Sequence, residues 1–164
     1  MVRVIFCMPG KTYHREFLLA WTDLVMNAAS KGHELSILQF PTLQQVSEAL
    51  ANAPPYDISL WIGPNVLFNP TNFFDLLESP HDVTSGYFVD EVPETLSFQV
   101  AVGVPVSLSD IPKDRYFSAD RTKFGWLMIK NGQSCKGTLD DFQAFEGLHI
   151  DTKVRIGNHK AVVV

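Results

Sequence analysis

Lysine and arginine are missing from the middle of this 164-residue chain. None occurs between Lys31 and Lys113, although that stretch holds ten Asp and Glu residues. Nine of the thirteen basic residues lie from Lys113 onward, and the net charge is −5. A general basic field for duplex DNA or an anionic membrane is thereby excluded. A bound anion must be held by the first turn (Lys11, Arg15), by the C-terminal third, by a helix N-terminus or by a metal ion. The plain alternative is a solvated acidic face. Cysteine is scarce: Cys7 and Cys135 have no metal-type spacing and form no disulfide framework, so a reducing cytoplasm is the expected setting. No apolar run reaches the ~18 residues of a membrane span. The apolar opening, residues 1–7, is too short for a signal peptide and runs straight into Pro9-Gly10. No G-x-G-x-x-G, P-loop or G-x-S-x-G pattern follows any strand, which argues against a Rossmann dehydrogenase, a P-loop enzyme and a hydrolase.

The composition that remains is that of a folded protein, 46% hydrophobic and 12% aromatic. Without repeats or linkers, residues 1–164 read as a single α/β domain. Val2 to Met8 reads as a buried strand ended by Pro9-Gly10. Phe17, Trp21, Leu24, Val25 and Ala28 recur at helical spacing between His14 and Ser30, and Lys31-Gly32 supplies the stop. Glu34 to Phe40 is a second strand. Thr42 and Gln45 form a capping box that opens a helix to about Asn52. Tyr56 to Ile62 is a third strand ending in Gly63-Pro64-Asn65. Asn69-Pro70 then predicts a helix through Leu77, with proline at its first position, and Val83 to Val89 a fourth strand. This alternation predicts a mostly parallel sheet covered on both faces, three layers in all. Ligands of such sheets sit outside the carboxyl ends of the strands, here Pro9-Gly10-Lys11, Gly63-Pro64-Asn65 and the residues after Val89. After Asp90 the pattern predicts mixed strands: Phe98 to Val106, a polar loop over residues 107–121, Gly125 to Lys130, His149 to Ile156, and His159 to Val164. Thr138 with Asp141 predicts a short helix carrying Phe142 and Phe145.

Several stretches resemble GT-A-like glycosyltransferases (nucleotide-diphospho-sugar transferases) of the phage and bacterial type. They are Val4 to Gly10 with Tyr13 and Arg15-Glu16-Phe17, Tyr56 to Ile62, Val66 to Pro70, Phe73 to Leu77, Asp82 to Tyr87, Phe124 to Lys130, residues 138–142, and Val154 to Gly157. The resemblance covers most of the chain in the family's order. It implies transfer of a sugar from a nucleotide diphosphate to a glycan or protein acceptor. It also implies Mn or Mg held by an Asp-x-Asp motif ending the third strand, where the metal stabilises the departing diphosphate as a Lewis acid. Here Gly63-Pro64-Asn65 stands in that place, so two anionic ligands are gone and Asn65 offers one neutral oxygen. The family's C-terminal Gly-His appears as Gly157-Asn158, with His159 displaced by one residue. The segment between Phe40 and Tyr56 is shortened.

On this resemblance Pro9, Gly10, Lys11, Arg15, Gly63, Pro64 and Asn65 are candidates for the nucleotide sugar. Asp140 and Asp141 are candidates for catalysis, although Thr138-x-x-Asp141 is equally a helix cap. Asp82, Ser85, Gly86 and Trp126 are candidates for the acceptor side, with Trp126 also fitting a core position. His149 and His159 are candidate ligands that equally fit structural roles. Lys153 and Arg155, two apart on a strand and so on one side of it, are candidates with Lys160 to replace the metal's charge. Two functions follow: an impaired or metal-independent transferase, or a non-catalytic scaffold that binds glycan or protein.

Overall fold

The computed structural model describes residues 1–64, 66–89, 98–101, 104–106, 116–122, 126–133, 135–137 and 142–156. Its elements run β1 (Arg3–Pro9), α1 (Arg15–Ser30), β2 (Glu34–Phe40), α2 (Leu43–Ala51), β3 (Ile58–Ile62), β4 (Val66–Leu67), α3 (Asn72–Leu77) and β5 (Val83–Val89). They continue β6 (Phe98–Ala101), β7 (Val104–Val106), β8 (Phe117–Thr122), β9 (Trp126–Lys130), β10 (Cys135–Gly137) and β11 (Phe142–Ile156). The main sheet is ordered β10-β11-β5-β9-β3-β1-β2. β2, β1 and β3 are parallel, β9 runs antiparallel between β3 and β5, and β11 runs parallel to β5. Consequently β1, β2, β3, β5 and β11 all end on one edge of the sheet. The fold is a mixed-sheet α/β fold.

Alternation along three adjacent strands divides the core. Val4, Phe6 and Met8, Ile58, Leu60 and Ile62, and Trp126 and Met128 belong to one buried cluster with Phe17, Leu24 and Ala28 of α1 and Phe73 and Leu76 of α3. Register explains the match, because Phe6 lies beside Leu60 and Leu60 beside Met128, and paired residues share a face. The odd-numbered partners Ile5, Cys7, Trp61, Leu127 and Ile129 are buried too but lie outside that cluster. Val46 of α2 is likewise fully buried outside it. Stepping from β1 to β2 and then back across to β3 by right-handed crossovers puts α1 and α2 on opposite faces. Both faces of the central strands are therefore covered, which is why β3 reads as an unbroken apolar run around Ser59.

Helix ends follow local chemistry. The His14 ring accepts the Glu16 N–H at 3.2 Å, and Thr42 and Gln45 form the reciprocal box expected for α2. At α3 the expectation is corrected: Pro70 is not the first helical residue. Asn69 Oδ1 accepts both the Thr71 N–H at 3.1 Å and the Thr71 hydroxyl at 2.9 Å, and this turn delays the helix to Asn72.

Three further expectations are corrected in the C-terminal half. Phe98 to Val106 is not one strand but two, β6 and β7, paired antiparallel. Residues 117–121, read as loop, belong to β8, which pairs with β11. Phe142 and Phe145 lie in the 15-residue β11 rather than in a helix, because pairing with β10, β8 and β5 outweighs a capping pattern. The strand expected over 159–164 lies outside the described residues. Among the described residues no helix is long and apolar enough to cross a membrane.

Candidate functional site

Two loops at the carboxyl edge meet. Gly10 follows β1 with φ +146°, and a β-carbon placed on it would lie 2.9 Å from Pro64 Cγ and 3.0 Å from Pro64 Cβ. Only glycine takes this backbone at low cost, and only glycine leaves room for the Pro64 ring. The Gly10 N–H donates to the Phe40 carbonyl at 2.9 Å, and its carbonyl accepts from Gln39 Nε2 at 2.7 Å, so the end of β2 anchors the loop. The Tyr13 hydroxyl donates to the Met8 carbonyl at 2.9 Å. Burial raises the Tyr13 pKa, and a hydrogen bond with Gln39 opposes that shift. Gln39 and Tyr13 thus shape the first loop, although no motif marks either; the signal available was their position at the carboxyl edge.

This bonding limits what Pro9-Gly10-Lys11 can offer an anion. Pro9 has no N–H and that of Gly10 is already used, which leaves the Lys11 backbone and its exposed ammonium. Arg15 is exposed at the start of α1, where the helix dipole also favours an anion.

The second loop is held from below. The Val66 N–H donates to the Gly63 carbonyl at 3.3 Å, and Val66 and Phe68 are buried. An aromatic series runs under the site. Tyr13 and Phe17 have ring centroids 5.0 Å apart, Phe17 meets Phe68 edge-on at 5.7 Å, and Phe68 stacks on Trp126 at 4.5 Å. The third contribution is β11, whose end pairs antiparallel with β4, Ile156 beside Val66 and Arg155 beside Leu67. Lys153 and Arg155 lie on the backbone beside Tyr87 and Val89 near the end of β5. The chain ends of β1, β3 and β11 therefore converge at the carboxyl edge.

The acceptor-side candidates do not share this surface. Ser85 is fully buried, and its hydroxyl donates to the Trp126 carbonyl at 3.0 Å. Trp126 is also fully buried, stacked on Phe68, and Gly86 is buried in β5. Asp82 lies at the opposite end of β5, where it faces Lys130 at 3.8 Å. Asn65, Asp140, Asp141, Asn158, His159 and Lys160 lie outside the described residues, as does the side chain of His149.

A divalent metal does not fit the residues seen after β3. Gly63 and Pro64 bring no carboxylate, and the Gly63 carbonyl is engaged by Val66. Among the described residues no group of three His, Cys, Asp or Glu side chains can hold an ion. The chain matches no protein-family model and no curated protein sequence.

Proposed function

We propose that this chain is a glycosyltransferase-like domain that binds a nucleotide-diphosphate sugar at the carboxyl edge, without an Asp-x-Asp metal. The observation that supports it is the convergence of three chain ends: the Gly10 loop, Gly63-Pro64, and the end of β11 paired with β4. Lys11 and Arg15 supply positive charge on one side, and Arg155 is the candidate on the other. Asp140 is the candidate base. With the anionic ligands replaced, stabilisation of a leaving diphosphate falls to these cations, and turnover is impaired relative to a metal-bearing transferase.

A thermal-shift panel of UDP, GDP, CMP and their sugars, each with and without Mn, tests the reading. Stabilisation by at least one nucleotide sugar without Mn supports it; no shift at millimolar concentration opposes it. Gly63→Asp combined with Asn65→Asp adds the missing carboxylates, and new Mn-dependent nucleotide binding in that variant is expected if the pocket persists.

The close seating of Pro64 on Gly10 favours a second reading, in which the fold is kept as a non-catalytic module for glycan or protein. It expects no nucleotide shift and a positive result on a glycan array or in a pull-down.

A further inference from the structure

We infer that the β2 edge of the sheet is a self-association surface, through which two copies of this chain join by antiparallel β2–β2 pairing about Ile37. Among the described residues β2 pairs with β1 alone, in unbroken register over all seven residues. Of the devices that usually protect an edge it carries only one terminal charge, Glu34; it has no lysine, no proline within the strand and no bulge.

The backbone makes this edge complementary to itself. Glu34 N–H donates to the Val2 carbonyl and the Phe40 carbonyl accepts from Gly10, so the even-numbered residues of β2 point their backbone groups toward β1. In a parallel ladder the alternate residues Leu35, Ile37 and Gln39 then point theirs outward. A two-fold axis through Ile37 sets Leu35 against Gln39 of the second copy, Ile37 against Ile37, and Gln39 against Leu35. All three are hydrogen-bonded pairs. The only charge on the strand, Glu34, then faces Phe40 and never its own copy.

The side chains agree. Ile37 lies beside Phe6 in register, on the α1 face of the sheet, yet is 51% exposed. In the right-handed β1-α1-β2 crossover, the α1 flank nearest the edge carries Leu18, Thr22, Val25 and Ala29 at i, i+4, i+7 and i+11. From Leu18 to Ala29 that flank has no charge, Arg15 standing at its N-terminal end away from the axis, and Leu18 is 48% exposed. Glu16 and Asp23 stand on the other flank. Directly opposed residues share a face, so both copies place α1 on the same side of the joined sheet. Two strand spacings bring such helices to roughly 10 Å, the distance at which helices pack. An uncharged flank meeting its own copy at that distance needs no counter-ion, which is why a second copy is the occupant.

Sedimentation velocity on the purified full chain over a concentration series is the test. A dimer is expected. Ile37→Pro removes one outward N–H that β1 does not use, and Leu18→Glu puts an unpaired carboxylate into the seam where α1 faces Val25 and Ala29 of the second copy; each is expected to shift the chain to monomer. Circular dichroism and thermal melting confirm that each variant is folded. If Ile37→Pro does not fold, Leu18→Glu decides. A wild-type chain that stays monomeric at every concentration overturns the inference. So does a dimer that survives Leu18→Glu in a folded protein.

Discussion

Gly10, directly after β1, and Pro64, two residues after β3, are packed so closely that a single added methyl group would overlap the proline ring. This contact fixes the relative position of the two loops that carry the proposed donor site. Gly10→Ala therefore meets both a steric and a backbone penalty, since φ at this position is +146°. The expected loss is on the order of 1–3 kcal/mol, measured by denaturant unfolding. Adding Pro64→Ala relieves the overlap but not the backbone strain, so it is expected to restore only part of the stability.

Asp57 and Arg3 give a signature in acid. Asp57 Oδ1 lies 2.9 Å from Arg3 Nη2, and Asp57 Oδ2 accepts the Arg3 backbone N–H at 2.8 Å. The side-chain hydrogen bond from Arg3, joined by this backbone bond, lowers the Asp57 pKa from 3.8 to about 2. Because the folded value lies below the unfolded one, the pair contributes stability above pH 3.8 and loses it as pH falls toward about 2. Asp57→Asn is expected to remove that part of the acid dependence and leave the rest, as read from melting temperatures across the range.

Trp126 and Ser85 are expected to report on stability rather than on acceptor choice. Both are fully buried, and Trp126 stacks on Phe68 at 4.5 Å. Trp126→Ala is expected to cost about 3–5 kcal/mol. Ser85→Ala loses the bond to the Trp126 carbonyl, at about 1 kcal/mol. Unfolding curves measure both, and a folded Trp126→Ala protein of unchanged stability would contradict the placement.

The N-terminal half was legible because its signals are local. Residues 34–40 and 83–89 form strands within the bounds read from β-branched and aromatic runs, and the Thr42–Gln45 box caps α2. The C-terminal half depends on pairing between distant residues, which no local pattern carries. The end of the polar run, residues 117–121, becomes strand only because β11 lies beside it. The capping pattern before Phe142 yields to a strand paired with four others. Insertion of β9 against the direction of its neighbours is likewise a property of the whole sheet. At the site, motif position placed Gly10 and Gly63-Pro64 at the carboxyl edge. It did not show that the Gly10 N–H goes to Phe40, nor that Ser85 is a core residue, whereas Trp126 takes the core position its apolar strand already offered.

Lys11, exposed beside Gly10, is the first side chain to test for donor binding. Lys11→Ala is expected to weaken nucleotide binding several-fold while leaving the melting temperature of the free protein unchanged, because it is a surface substitution.

Calorimetric titration of UDP-, GDP- and CMP-sugars into the chain, with EDTA in one series and Mn in the other, bears most directly on a donor site that works without a metal. The expected result is binding of at least one nucleotide sugar in EDTA, with an affinity that Mn leaves unchanged. Absence of heat from every sugar at millimolar concentration, or binding that appears only with Mn, would contradict it.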